Sequence, residues 1–593
     1  MKTAKLKVFS FISLILALVA VNLGYVFIPT TFSKSTNHIT TLEGLTLSAT
    51  YNSTVEIDDA NPARDWAAAK VAGICTGSGT VGDPYLISND IFNITAVGVY
   101  CLNISNSRKH FRVLNNDFYI TGLSAGILLD NTTNGLLEGN QLPWNIFFNV
   151  LIDTCSQITL RDNNCSGSGA GIIVVDSDDI NLDSNTVNDN FGNGINLDNC
   201  DNVVIDNNDV IENDNDGIYL DNCSFVTISA NTIVNSTNNG ITSSNSNNTQ
   251  ISGNTITNCD NIGIGLSQSD RCEVKGNTIT ESTNAGIQLQ QSTHNLLESN
   301  TVDENFRGIY LSSTSEYNTI SKNIGNNNIN HGIYITTCHN NTISGNKMNH
   351  NGGEGIWLTG CDDSEVTKNT AYNNSINGIR LNSGNNLTCS ENVAYENQQN
   401  GIRLINTDNS EIADNFVHHN SYDGIRLNTG SNNNVIKSNT GQFNNLSGIY
   451  LSACDFNLLI NNLLTNNVEH GIHLTSSDSN TLTGNTANSN GMNGIHLFNS
   501  DVNSIIANTA KNNNNGTFLD SSNNNIIASN VLVGNDACFN ETGSFGNVFE
   551  GNICTSIGGL AIDLSLILLI IAIIEGVALA AVVGVLFARK RKS

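Results

Sequence analysis

The sequence predicts an all-β solenoid of about 18–20 coils with a period of about 23 residues, plus one apolar helix at each end of the chain. Three observations carry that reading. Gly378-Ile379-Arg380-Leu381 returns as Gly401-Ile402-Arg403-Leu404 and again as Gly424-Ile425-Arg426-Leu427, 23 residues apart both times. The Gly column extends both ways from there, from Gly126 to Gly516 in 17 steps of 22 to 24 residues, with Asn149 as its one substitute. A second column, of Asn, keeps the same period from Asn116 to Asn552, and every step between Asn185 and Asn415 is 23.

Inside one unit, such as Gly194 to Ile211, apolar residues alternate over short runs broken by Asn, Asp and Gly. Period-2 runs are strands and the breakers are turns. Three short strands in so few residues form one turn of a coil whose strands pair with the next turn. Coils stacked about 4.8 Å apart would build a rod roughly 85–95 Å long. The Ile and Leu of Gly-Ile-x-Leu point inward. The repeated Asn suits a left-handed turn residue whose amide bonds to the next coil.

Composition agrees. The chain is 39% hydrophobic and 13% charged, and its four prolines end at Pro143, so no missing N–H interrupts a ladder beyond that point. A net charge of −28 excludes nucleic acid as a partner, because phosphates need clustered Lys and Arg.

At the N-terminus, Lys2, Lys5 and Lys7 precede an apolar run to Ile28, which reads as a secretory signal or an uncleaved signal anchor. At the other end, Leu564–Ala588 is long enough to span a bilayer, with Glu575 inside it and Arg589-Lys590-Arg591-Lys592 after it as a cytoplasmic tail. The divisions expected are a signal or anchor at 1–30, a linker or cap at 31–74, the solenoid at 75–555, a short linker at 556–563, the membrane helix at 564–588 and the basic tail at 589–593. The bulk of the chain is then extracellular at a cell membrane, and Asn-x-Ser/Thr sites such as Asn52, Asn93 and Asn131 would be open to glycosylation.

With its entry sequence Gly77-Ser78-Gly79-Thr80 followed by Asp83-Pro84-Tyr85, and with the Gly and Asn columns, the chain resembles right-handed parallel β-helix proteins of the pectin-lyase-like fold, especially the NosD-type exported β-helix family. The resemblance implies a right-handed parallel β-helix. It leaves function open, since the scaffold hosts many activities. Enzymes of this fold act on polyuronates with carboxylate-held calcium and an Arg or Lys base, or with paired carboxylates. Glu354, Asp423, Arg403 and His473 are the residues that could be cast in such roles. The motifs those enzymes share are missing, so a lyase, hydrolase or epimerase is the alternative and not the main expectation.

The position two after each Gly points outward, between the inward Ile and Leu. It reads Tyr310, Tyr334, Trp357, Arg380, Arg403, Arg426, Tyr450, His473 and His496 along successive coils. Stacked guanidinium groups repel unless anions lie near them, and aromatic rings offer flat faces to sugars. The column therefore reads as a strip binding an acidic polysaccharide or a surface glycan. Two other readings stand beside it: the arginines are neutralised by Glu354, Asp423 and other local carboxylates, or the rod is a structural spacer. Copper, which the NosD resemblance implies, needs soft or imidazole ligands. With three methionines in the chain and His470, His473 and His496 as its His cluster, copper is not expected. Calcium is the better cofactor candidate, at Asp214 and Asp216 in an oxygen-rich turn, against the alternative of a solvated turn. Cys200 with Cys223 and Cys338 with Cys361 would sit on neighbouring coils, as disulfides or buried thiols, and Cys75 with Cys101 and Cys538 with Cys554 as end staples.

Overall fold

A computed structural model describes residues 49–95, 100–120, 125–143 and 147–556. They form a parallel β-solenoid in which each coil contributes up to three strands, one to each of three faces. In a central coil these are Ile379–Asn382 on face one, Thr388–Ser390 on face two and Val393–Tyr395 on face three. Each pairs in parallel with its equivalents one coil before and after, so that Ile379, Arg380 and Leu381 lie opposite Ile402, Arg403 and Leu404. Residues 50–58, read from sequence as linker or cap, already supply strands to the first coil, where Val55–Asp58 pairs with Leu102–Ser105.

From Gly171 to Gly516 glycine heads every face-one strand, for a steric reason. A Cβ on Gly378 would stand 2.7 Å from the carbonyl oxygen of Gly401 and 2.8 Å from Asn397 Nδ2. Any larger residue would push the coils apart. The following Ile and Leu are fully buried, as at Ile379 and Leu381, and they fill the core from one end to the other.

The asparagine column is the second fixed feature. Asn277 is representative: its Nδ2 donates to Asn300 Oδ1 and to the carbonyl of Ile251, both at 2.9 Å. Its Oδ1 accepts from the backbone N–H of Asn254 at 3.0 Å and from Asn254 Nδ2 at 2.9 Å. The chain of such bonds continues through Asn208, Asn369 and Asn439. These asparagines are not the left-handed residues that the sequence suggested. The positive φ falls on the residue before each, Gly276 at 63°, Ser299 at 58° and Lys322 at 57°. That residue turns the chain and sends its own side chain outward, while the asparagine points into the coil.

The N-terminal end is closed by a short helix, Trp66–Val71, whose N-terminus is capped by Asp65 Oδ1 accepting from Ala68 N–H at 2.8 Å. Trp66 lies flat on Tyr85, ring centroids 4.8 Å apart, and its Nε1 donates to Ser107 Oγ at 2.9 Å. The last coils carry a disulfide between Cys538 and Cys554, Cα atoms 5.7 Å apart.

The other proposed bridges do not form. Cys75, Cys101, Cys200, Cys223, Cys338 and Cys361 are buried free thiols. Cys200 and Cys223 Sγ each donate to a carbonyl of their own coil, Asp198 and Asp221, at 3.3 Å, and Cys200 Sγ also lies 3.5 Å from the Val174 carbonyl of the coil before. Ser177 does the same to Val175 in that column, so a thiol there replaces a hydroxyl.

The fold class needs a correction at the ends. Among the described residues no helix is long and apolar enough to cross a membrane, since the helix Trp66–Val71 has only six residues, about 9 Å of rise. The expected N-terminal signal or anchor helix and the C-terminal transmembrane helix fall at 1–30 and 564–588, outside the described residues.

The asparagine ladder gives a direct test. Asn277→Ala leaves the Asn254 N–H buried without its acceptor, at about 1–3 kcal/mol, and takes one bond each from the Ile251 carbonyl and from Asn254 Nδ2, which keeps the Ile228 carbonyl. Native-state hydrogen exchange should show the coils around residues 251–300 losing protection while those beyond residue 400 keep theirs, because solenoid stability is passed between neighbours. Uniform loss of protection along the rod would contradict a locally acting ladder.

Candidate functional site

Because the face-one strands from Tyr310 to His496 pair in unbroken register, their outward residues form a continuous line. Tyr334 lies opposite Trp357, Trp357 opposite Arg380, Arg380 opposite Arg403, Arg403 opposite Arg426, and Arg426 opposite Tyr450, followed by His473 and His496. The structure thus brings together the whole strip that the sequence singled out.

It also changes what the strip offers. Tyr310 and Tyr334 stack at 5.3 Å and 4°, Tyr334 and Trp357 meet at 4.7 Å, and His496 stacks on Phe518 at 4.9 Å and 5°. The Arg380 guanidinium lies 4.8 Å from the Trp357 ring and that of Arg426 lies 4.5 Å from Tyr450. Ring faces are used along the rod axis, with edges turned to solvent. The expectation of free faces for sugars to stack on is corrected: coil spacing matches stacking distance, so neighbouring rings cover one another.

Beneath this line runs a second column, the residue before each Gly, of which sequence reading had named Glu354, Asp423 and His470 without seeing that they align. It reads His331, Glu354, Asn377, Asn400, Asp423, Ser447, His470 and Asn493, all buried. Its members accept from the backbone of the next coil, as Asn377 Oδ1 does from Asn400 N–H at 3.2 Å and Asp423 Oδ1 from Ser447 N–H at 2.9 Å. Two acids in this column neutralise two of the three arginines. Glu354 Oε1 is 3.2 Å from Arg380 Nη1, with His331 Nδ1 3.0 Å from its other oxygen, and Asp423 Oδ2 is 3.2 Å from Arg426 Nη1.

Arg403, between them, faces the amide pair Asn377 and Asn400. Among the described residues it makes no ion pair, and its Nε donates to Asn428 Oδ1 at 3.2 Å. Burial and the flanking Arg380 and Arg426 charges push its pKa down. On the two coils before it, Trp357 Nε1, Asn377 Nδ2 and Arg380 Nε are buried donors with no acceptor. Three coils therefore present donors in excess of acceptors.

The two acids differ in electrostatics. Burial pushes Glu354 up, but His331 and Arg380 together outweigh it and hold the carboxyl below its ordinary value. Asp423 is pushed up to about 6 by burial, which the Ser447 amide and Arg426 only partly offset. As a catalytic pair they fail on distance. They lie three coils apart, roughly 14 Å at the strand spacing, whereas hydrolysis needs two carboxyls about 5–10 Å apart.

At the far end of the strip, His473 and His496 stack at 4.6 Å and 17°, and His470 from the buried column meets both at 4.7 Å. Burial pushes the three pKa values down, to about 2 for His470, 3 for His473 and 4 for His496, so the rings are neutral at ordinary pH. Three neutral imidazoles are a donor set for a divalent first-row ion. They are a poor match to Cu(I), which favours thioether or thiolate; Met348 lies buried in the core and Met492 is largely exposed on the surface. Among the described residues this is the one group of three or more His, Cys, Asp or Glu placed to share an ion. Of the two residues read as calcium ligands, Asp214 is exposed and Asp216 is buried. Asp216 accepts from Asn239 N–H at 3.0 Å and Asn238 Nδ2 at 2.7 Å, as a ladder member.

Sequence reading also missed a ring ladder on face three. Tyr372 stacks on Tyr395 at 4.7 Å and Tyr395 on His418 at 4.8 Å, beside a groove of about 500 Å³ lined by Lys347, Asn349 and His350. Its signal was available as the column six before each Gly.

Fold and site together define a solenoid whose side chains act in axial columns. The profile described as right handed beta helix region matches residues 97–249 and 307–443, and that described as periplasmic copper-binding protein (NosD) matches 215–331 and 424–555. The chain is a right-handed parallel β-helix repeat protein. Among solved structures it is similar to the periplasmic alginate epimerase AlgG, at 16% identity over 57% of this chain and 77% of that one, TM-score 0.31. It is similar also to the A-module of the Azotobacter vinelandii mannuronan C-5 epimerase AlgE6, at 15% identity over 58% and 91%, TM-score 0.32. A third is PfbA, a surface adhesin of Streptococcus pneumoniae, at 13% identity over 55% and 83%, TM-score 0.28. No curated protein matches the chain.

Asp423 supplies a pH test of the buried column. Its raised pKa contributes stability that is fully present below the unfolded value near 4 and is lost as pH rises through about 6, on the order of 3 kcal/mol. Asp423→Asn keeps the acceptor for Ser447 and carries no charge. Thermal melts from pH 4 to 7 should show the wild-type protein losing stability relative to the variant; parallel curves would place the ionisation elsewhere.

Proposed function

We propose that this protein is an exported binding module for acidic glycans, and that the anionic group of the sugar docks at Arg403. The observation that carries the reading is the mismatch around that residue: an unpaired guanidinium with three buried donors, Trp357 Nε1, Asn377 Nδ2 and Arg380 Nε, lacking acceptors. Buried donors without partners are uncommon in native proteins and point to an acceptor supplied from outside. A carboxylate or sulfate offers two or three oxygens in the plane that a guanidinium recognises. The ring edges of Tyr334, Trp357 and Tyr450, above and below, then line the path of an extended chain, so specificity comes from hydrogen bonding at the edges. The spread of charged groups and the 14 Å gap between carboxylates favour holding a polymer over cleaving it.

The test is binding of a polyuronate to the wild-type protein and to Arg403→Gln. Calorimetry at low salt should give at least tenfold weaker binding for the variant, and affinity should fall as salt rises. A neutral glucan should bind neither form. Equal affinity of the two forms, or binding that ignores charge on the sugar, would overturn the assignment.

A further inference from the structure

Independently of the glycan reading, we propose that His470, His473 and His496 form a binding site for one divalent first-row transition-metal ion, with Zn²⁺ as the reference ion. The three residues come from two adjacent coils. His473 and His496 are register partners on face one, and His470 stands in the turn directly before Gly471. One ring nitrogen from each lies within 4.8 Å of the others. A tetrahedral zinc with bonds of about 2.0–2.1 Å holds its nitrogens roughly 3.3 Å apart, so binding requires the nearly parallel His473 and His496 rings, 17° apart, to turn until their in-plane lone pairs converge.

His496 makes the strongest case. Both of its ring nitrogens are buried and neither has a partner. A neutral imidazole carries one donor and one acceptor, and burying both unused is costly unless something outside the chain takes the lone pair. His473 has a single side-chain partner, Thr475 Oγ1, 3.2 Å from its Nε2. His470 accepts at Nδ1 from the backbone N–H and the Nδ2 of Asn493, both long at 3.3 Å. Ligation through Nδ1 exchanges those two weak contacts for a metal bond and leaves the Nε2 proton in place.

The donor set selects the class of ion. Imidazole alone, with no carboxylate in the group, excludes Ca²⁺ and Mg²⁺, which require oxygen. Tyr450, 4.8 Å from His473, and Phe518, 4.9 Å from His496, close the stack on either side. The fourth position faces outward and is left to water or a ligand group. Arg426 is two coils away, roughly 10 Å, where solvent and salt weaken its repulsion.

The experiment uses the full chain without a polyhistidine tag, stripped by chelator and titrated with Zn²⁺ by calorimetry and with Co²⁺ by visible absorption. One ion per chain, a tetrahedral Co²⁺ spectrum and a raised melting temperature are expected, with no response to Ca²⁺. His496→Phe keeps the stack on Phe518 and removes the nitrogens, so it should fold and bind at least tenfold more weakly. His418→Phe is the control, because His418 and His419 on face three also place ring nitrogens close together, 2.8 Å apart. The proposal is overturned if Zn²⁺ and Co²⁺ fail to bind, if His496→Phe binds as the parent does, or if His418→Phe is the variant that loses the ion.

Discussion

The asparagine ladder that ties each coil to the next is the interaction on which the rest of this structure depends. At Asn277 the side chain makes four hydrogen bonds across coil boundaries, three to the coil before, with Asn254 N–H, Asn254 Nδ2 and the Ile251 carbonyl, and one to Asn300 Oδ1 in the coil after. A one-residue slip would break all four and bury unpaired amides, each at a penalty of about 1–3 kcal/mol. Register is therefore held through every coil whatever residues decorate the surface. The glycine column acts in the same sense from the other corner, since the carbonyl of the next coil occupies the space a Cβ would need.

Fixed register turns chemistry on this rod into a question of columns. A side chain has one neighbour above and one below at close to stacking distance, so like residues combine into ladders and unlike ones define sites at their junctions. Rings cover rings from Tyr310 to Trp357, and Arg380 and Arg426 cap the two aromatic blocks. The buried column adds a vertical partner to each outward residue. It gives an acid to Arg380 and to Arg426 and none to Arg403, which donates to Asn428 on its own face instead. The unpaired charge is thus a product of two columns read together; neither one alone would identify it.

That combination explains how much the sequence could reveal. The period, the inward Ile and Leu and the outward strip were legible because each depends on residue type at a fixed spacing. The left-handed position was not, since it accepts Gly276, Ser299 and Lys322 alike, and its tolerance erases any compositional mark. Nor was the buried polar column legible. In a chain so rich in Asn, a turn reading His331, Glu354, Asn377 looks like solvated surface, and only geometry shows it turned inward. Ring type could be read, but not that coil spacing would use up the faces. Cysteines at coil-neighbour spacing looked bridgeable, yet sulfur at Cys200 and Cys223 serves its own coil as a hydroxyl does at Ser177.

The outward strip is also polar along its length. From Trp357 to Arg426 the unpaired groups are donors, while His473 and His496 present lone pairs that no protein donor fills apart from the contact at Thr475. Three coil steps, roughly 14 Å, separate Arg403 from His473. An anion suits the first segment and a cation the second, and the stack of Tyr450 between them keeps the two fields from cancelling through direct contact. A polymer bearing regularly spaced carboxylates could meet the first segment by direct ion pairing and the second through a bound metal ion with an open coordination position. The same backbone unit, repeated along the rod, thereby supports opposite chemistries because the fold fixes the inward Ile and Leu, the Gly and the ladder Asn and leaves the outward position to vary.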